Sequence, residues 1–395
     1  MAAMPDEAAG APRTGAPTAE LSELALLFLR LGVTAFGGPA AHIALMEDEV
    51  VRRRRWVSPE RFLDLLGAAN LIPGPSSTEL AIFIGYDQGG WRGLILAGGC
   101  FILPAALMVS MIAWAYVRFG AFPQMGGALY GIKPVVIAVI VQALWGLAPK
   151  ALKGSKFLFA LALLAGLASA LGVDAIVVLL AAGGASVMAA RATDKGNAGR
   201  TFGPAATIGI AGGAAGLAPV PVTLVTLFLT FAKLGAIVFG SGYVLLVFLR
   251  SDLVDRLHWI TESQLLDAVA VGQVTPGPVF TTATFVGYVV AGPWGAAVAT
   301  AGIFLPGFVL VALARPVVAR LRRSATTGAL LDGVNVASLA LMAVVTFQLA
   351  KAAFVDVPSV VLAVVGAVLL VKRKVNSAWL VGGGAVAGAL AEHLR

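Results

Sequence analysis

The sequence predicts an all-α polytopic membrane protein: an inverted-topology repeat of two five-span units, each carrying a broken, re-entrant helical hairpin. Three observations predict it. The 395 residues are 59% hydrophobic and only 12% charged, where a soluble domain carries about a quarter charged residues. A set of residues recurs in the same order at an offset of 203, as Pro73 does at Pro276. Each copy interrupts an apolar run with Pro-Gly-Pro, at 73–75 and again at 276–278.

Composition narrows the function classes. Mean hydropathy is +0.92, and stretches such as Gly93 to Tyr116 reach the roughly 20 apolar residues that a span needs. The net charge of +8 would suggest nucleic acid in a soluble protein. Here Lys and Arg sit in short loops, as the positive-inside rule requires, so the expected partner is the bilayer and not nucleic acid. One cysteine, Cys100, excludes a disulfide and a thiolate cluster. His42, His258 and His393 lack metal-ligand spacing, and no G-x-x-x-x-G-K-[ST] is present. No metal, cofactor or enzymatic activity is expected.

Along the chain, residues 1–20 are rich in Ala, Pro and Gly and read as a disordered tail, without the basic and apolar regions of a cleavable signal. The first repeat occupies 21–200. Its Phe28, Leu31, Gly32, Phe36 and Gly37 match Phe231, Leu234, Gly235, Phe239 and Gly240. Trp56 matches Trp259, both fitting interfacial anchors, and Asp64 matches Asp267. Ser58 and Thr261 read as helix caps, which makes those aspartates mainly structural. Residues 60–90 form two short helices that enter and leave on one side, because proline removes a donor and clashes with the preceding turn. After one deletion the offset is 202, so Gly85-Tyr86 meets Gly287-Tyr288, Gly93 meets Gly295 and Leu103-Pro104 meets Leu305-Pro306. Spans follow near 93–117, 126–147, 157–171 and 173–190.

Residues 201–219 are read as a linker; a span there would undo the inversion. The second repeat, 220–395, has spans near 221–248, 293–314, 326–349, 357–371 and 376–394. With the loop of Arg52, Arg53, Arg54, Arg55 and Arg61 cytoplasmic, the matching loop of Arg250 and Arg256 falls outside. Five spans per copy, an odd number, place the copies in opposite orientation.

The motif order is "FGGP" at 36–39 and "FGSG" at 239–242, then "WVSPERFLD" and "WITESQLLD", Pro-Gly-Pro, "IGY" and "VGY", and an apolar helix with "LP". In this combination the chain resembles the chromate ion transporter (CHR) family in its two-domain form, over about residues 24–391. The resemblance implies a multi-pass protein of the inner (plasma) membrane, a secondary transporter exporting chromate and conferring chromate resistance. Sulfate is the related anion. Uptake or exchange of sulfate is the alternative within transport, and a non-transporting membrane protein is the distant one. A homodimer is left open.

The expected anion site is the pair of breaks. A helix starting after Pro-Gly-Pro offers free backbone N–H groups and the positive end of its dipole, and paired breaks near the midplane build sites in other transporters. The expected residues are Asn70, Pro73, Gly74, Pro75, Ser76 and Ser77 in one copy and Gln273, Pro276, Gly277, Pro278 and Thr281 in the other. The alternative is that the prolines only turn a hairpin. Gly37, Gly38, Gly240, Ser241 and Gly242 bring backbone near substrate or permit close helix packing. Arg30 and Lys233, at matched positions in apolar stretches, are expected to attract the anion, against the alternative of snorkelling. Glu79, where the second copy has Thr281 and Thr282, is the candidate proton carrier or a partner for Arg30, against the alternative of a plain interfacial position. Gly93, opening a long span, is expected to tolerate bulk better than Gly74 or Gly277.

Overall fold

The computed structural model describes residues 19–36, 38–119, 123–193, 221–238, 244–321, 325–373, 375 and 377–393. The tail to residue 18, Gly37, Gly240, Ser241, Gly242 and the 201–219 linker lie outside them. The described residues form helices and connecting turns. In the first copy these are α1 (Leu21–Thr34), α2 (Gly38–Glu47), a π-helical segment (Asp48–Arg53), α3 (Pro59–Ala69), α4 (Ser76–Phe119), α5 (Pro123–Leu152), α6 (Lys156–Ala170) and α7 (Ala175–Thr193). The second copy has α8 (Leu224–Ile237), α9 (Leu245–Leu249), a π-helical segment (Arg250–Arg256), α10 (Glu262–Val274) and a 3-10 turn (Val279–Thr281). It ends with α11 (Thr282–Leu321), α12 (Ala325–Ala353), α13 (Val357–Arg373) and α14 (Ser377–His393).

Among the described residues, five stretches are long and apolar enough to cross a bilayer: Ser76–Phe119, Gly126–Leu152, Ala175–Ala192, Val279–Leu313 and Thr326–Ala353. Large apolar side chains stand outward, with Trp145 at 82%, Trp294 at 73% and Trp379 at 80% exposure. Water would penalise such a surface, whereas lipid accepts it. The protein is a polytopic, multi-pass membrane protein.

Local chemistry explains the helix ends. Ser58 caps α3 by accepting the Arg61 N–H, with Pro59 at the first helical position. Thr261 and Gln264 form a reciprocal capping box on α10. α4 reverses at Gly89-Gly90, where Gly90 has φ 56°, and α11 reverses at Ala291-Gly292, where Gly292 has φ 65°. The arms then pack backbone to backbone. A Cβ on Gly85 would meet the Gly93 carbonyl, one on Gly93 would meet the Gly85 carbonyl, and Gly287 and Gly295 stand in the same relation. Gly93 is therefore intolerant of bulk, contrary to its sequence expectation.

A second expectation is corrected at the start of each copy. The 221–248 stretch is not one continuous helix: α8 ends at Ile237, Val238 is extended, and helix resumes at Leu245. α1 stops likewise before an extended Ala35. Each of these 14-residue helices is about 21 Å long, short of the roughly 30 Å hydrocarbon layer. Both helices end at an extended residue, leaving the carbonyls of Ala35 and Val238 without intrahelical donors. α1 packs on α4 and α8 on α11, while α4 and α11 face each other. α5 packs on α13 and α14, and α12 packs on α6 and α7. Each copy is thus closed by helices of the other. Trp56 is part of this interior, 5% exposed with the Arg54 guanidinium 4.8 Å over its ring, so it is not a lipid-facing anchor.

Candidate functional site

The two Pro-Gly-Pro breaks meet the two interrupted helix ends. Gly74, at φ 130°, donates its N–H to the Val238 carbonyl at 2.6 Å. Gly277, at φ 90°, donates its N–H to the Ala35 carbonyl at 2.9 Å. Donors and acceptors are both matched at the 203 offset, so the same bond is made twice, each time from one copy to the other. Positive φ makes glycine the suitable residue at both positions. Packing adds to this: a Cβ on Gly74 would overlap Glu79 Oε1, and one on Gly277 would sit 2.7 Å from Ala105 Cβ and 3.2 Å from the Gly32 carbonyl oxygen.

These bonds use the glycine amides that the sequence assigned to an anion. The Thr78 and Glu79 N–H groups both donate to the Pro75 carbonyl, at 2.7 and 3.2 Å, and Thr281 N–H donates to the Pro278 carbonyl at 3.0 Å. The amides that a helix start leaves over are then those of Ser76 and Ser77 in one copy and of Val279 and Phe280 in the other. Ser76, Ser77 and Thr281 are buried. The Thr281 and Thr282 hydroxyls donate back to the Pro278 and Val279 carbonyls, both at 2.8 Å, so their protons serve the turn.

His42, on α2, belongs to this cluster and was not assigned to it from sequence. It is 1% exposed, with Nε2 3.0 Å from the Ala35 carbonyl oxygen and Nδ1 3.3 Å from Ser77 Oγ. The carbonyl can only accept, so Nε2 carries the hydrogen and Ser77 donates to Nδ1. Ala35 O therefore accepts from both His42 and Gly277. Glu79 completes the cluster: it is wholly buried, and among the described residues neither carboxylate oxygen has a hydrogen-bond partner. Its side chain lies against Gly74 and, across the copies, against Gly307 of α11. His42, Ser77 and Glu79 are matched by Leu245, Phe280 and Thr282. The polar side chains are thus concentrated at one break. That contrast was legible, since a histidine in an apolar stretch faces a leucine at the same offset.

The remaining candidates lie elsewhere or in different company. Arg30 is 3.7 Å from Glu49, and Lys233 is 2.9 Å from Asp252. Glu49 and Asp252 are themselves matched at 203 and buried, each on a π-helical segment. Glu49 also holds Arg53 at 3.1 Å and Arg54 at 3.4 Å, and Asp252 holds Arg256 at 3.1 Å. The matched cations are therefore paired, and Arg30 takes Glu49 in place of Glu79. Asn70 ends α3 as its C-cap, and Gln273 is buried on α10. Gly38 opens α2 with φ 77°.

Comparison with known proteins bears on this arrangement. The family model described as chromate transporter matches residues 22–187 and 225–389, once in each copy. The chain is 36% identical to the chromate transport protein of Cupriavidus metallidurans over 393 residues, covering 99% of this chain and 98% of that protein. It is 31% identical to a probable chromate transport protein of Synechococcus elongatus, over 87% of this chain and 88% of the relative. It is 32% identical to a chromate transport protein of Pseudomonas aeruginosa, over 87% and 84%. No solved structure matches the chain.

Proposed function

The chain belongs to the chromate transporter family, and from that premise we propose that it is a secondary transporter exporting chromate by alternating access of two inverted, five-span repeats. The 21–200 and 220–395 repeats would move against each other in the inner membrane about the paired re-entrant breaks. The observation that carries this is the reciprocal bond pair, Gly74 to Val238 and Gly277 to Ala35. It joins the two breaks to the two interrupted helices at equivalent points of both copies, and irregular backbone at membrane depth is tolerated where it is buried in protein or lines a cavity.

In this mechanism the dianion rests on the first-turn amides of Ser76, Ser77, Val279 and Phe280, where two helix dipoles converge. The Ser76 hydroxyl adds a donor, with the Asn70 and Gln273 amides and the Gly38 backbone near the path, while the Ser77 hydroxyl serves His42. Pro73, Pro75, Pro276 and Pro278 set the breaks, while Gly74 and Gly277 clamp one repeat to the other. Thr281 stiffens the second break. Arg30 and Lys233 draw the anion by exchanging Glu49 and Asp252 for it. Glu79 carries a coupling proton. A bare carboxylate without a partner costs several kcal/mol in such a place, and a bound proton removes that cost.

The test is chromate accumulation in inside-out vesicles, with and without an imposed proton gradient. Gradient-dependent accumulation, with sulfate as a weaker competitor, supports chromate export. Sulfate carried faster than chromate would favour the sulfate alternative, since both anions share charge and tetrahedral shape. No flux of either anion would sink the transport reading.

A further inference from the structure

We propose that Asp267, held by Tyr116 and Lys133, is a second proton-binding site, on the second hairpin and apart from the paired breaks; this rests on the transport reading above. Asp267 lies on α10 and is 2% exposed. Its Oδ2 accepts a hydrogen bond from the Tyr116 hydroxyl of α4 at 3.0 Å. Its Oδ1 is 3.5 Å from Lys133 Nζ of α5, too far for a good hydrogen bond. Lys133 instead donates to Ser263 Oγ at 2.6 Å. Among the described residues Oδ1 has no hydrogen-bond partner. A pair serving only to join helices would close that gap, because a buried carboxylate oxygen without a donor is costly. A proton fills it.

The surroundings leave Asp267 as the group that can respond. Tyr116 reaches it from α4 and Lys133 from α5. On the neighbouring π-helical segment, Arg250 is held by Asp255 and by Glu262 of α10. Among the described residues, the hydrogen bond and ion pair of Asp267 come from Tyr116 and Lys133, and α11, α12 and α14 supply neither. The matched positions of the first and second copies do not repeat the cluster. The matched Asp64 is exposed, and at the 202 offset Tyr116 and Lys133 meet Val318 and Asn335. A coupling ion can use groups that break the match between the halves. Among the described residues Glu79 is the other buried carboxylate with an oxygen lacking a hydrogen-bond partner, so each hairpin holds one there.

The step is a simple protonation. A hydronium ion arriving from the Lys133 side breaks one of its O–H bonds, passes that proton to Oδ1 and leaves as water, so the carboxylate becomes an acid. Lys133 stays an ammonium on Ser263, so the cluster gains one positive charge and the attraction between α5 and α10 is lost. From Asp267, α10 runs on to the break at Pro276, nine residues or about 13 Å away. There Gly277 holds the Ala35 carbonyl. A loosened α10 therefore acts on the bond that joins the two copies.

The experiment uses the full chain, purified and in proteoliposomes. An infrared difference spectrum between acid and alkaline buffer should show a carboxylic-acid band that Asp267→Asn removes. In the same variant, proton-gradient-driven chromate accumulation should fall about tenfold while chromate–chromate exchange falls less than about twofold. The Lys133→Gln/Asp267→Asn double variant avoids an orphan ammonium and should behave like Asp267→Asn. An unchanged spectrum, or wild-type drive in either variant, overturns the proposal and leaves the cluster structural. If the wild type exchanges no chromate, the transport reading fails, while the infrared band still decides whether Asp267 takes up a proton.

Discussion

Ser77 and Glu79 sit two residues apart on the first turn of α4, and their surroundings set different expectations. Ser77 is bound to His42, whose other nitrogen reaches the Ala35 carbonyl. Ser77→Ala removes the hydroxyl that holds His42 beside the anion site and leaves Nδ1 of a buried imidazole unpaired, a loss of about 1–3 kcal/mol. Chromate affinity measured by titration calorimetry should fall about tenfold, and the unfolding temperature should drop. Glu79→Gln removes no hydrogen bond, because none is made. Its unfolding temperature should hold or rise while gradient-driven accumulation collapses; a stability loss without a transport loss would make Glu79 structural. Lys233 is a third case. Lys233→Gln strands the buried Asp252 with Arg256 alone, and about 1–2 kcal/mol of stability should go, given the partial exposure of the pair. Adding Asp252→Asn should restore stability and leave transport impaired. Full transport by that double variant would show that Lys233 does not attract the anion.

At the level of elements, each hairpin depends on a backbone contact that only glycine permits. Gly287→Ala places a methyl against the Gly295 carbonyl and Ala299. Overpacking of this kind costs about 1–3 kcal/mol, so thermal unfolding in detergent should show a clear loss, matched by Gly85→Ala in the other copy. An unaffected unfolding temperature in both would mean that the arms separate easily. The repeated Gly-Tyr element and the glycine after it were visible in the sequence, but their purpose was not, because it depends on the two arms folding back on each other. The interruption of α8 was also hidden. A run of apolar residues from 221 to 248 reads as one helix, and its hydropathy does not record a break whose carbonyl is satisfied from another copy.

Over the whole molecule, the long helices of each copy pack on the last helices of the other, so neither copy is complete alone. Opposite orientation of the copies has a direct test. Arg55 and His258 are matched at 203, exposed, and share a left-handed backbone with φ 54° and 53°. In a chain whose Cys100 is replaced, Arg55→Cys and His258→Cys should label from opposite faces of the membrane. Labelling from the same face would remove the inversion and make the 201–219 stretch a crossing segment.

Composition, the 203 offset and the order of motifs determined the membrane class, the duplication and the family resemblance, since each is a property of residue type and spacing along the chain. The breaks at 73–75 and 276–278 were determined equally well, because proline and glycine act on their own backbone. What the breaks touch was decided only in three dimensions. Ala35 and Val238 are ordinary apolar residues whose side chains give no hint of a role, and the structure uses their carbonyls. Arg30 and Lys233 were legible as cations in apolar stretches, yet Glu49 and Asp252, 19 residues further on in each case, become their partners only once the π-helical segments fold back. Asp267 looked structural beside its cap, until Tyr116 and Lys133 arrived from helices more than 130 residues away. Pairing of charges and carbonyls across such distances follows from which helices come to share a surface, and that is set by packing, not by local sequence.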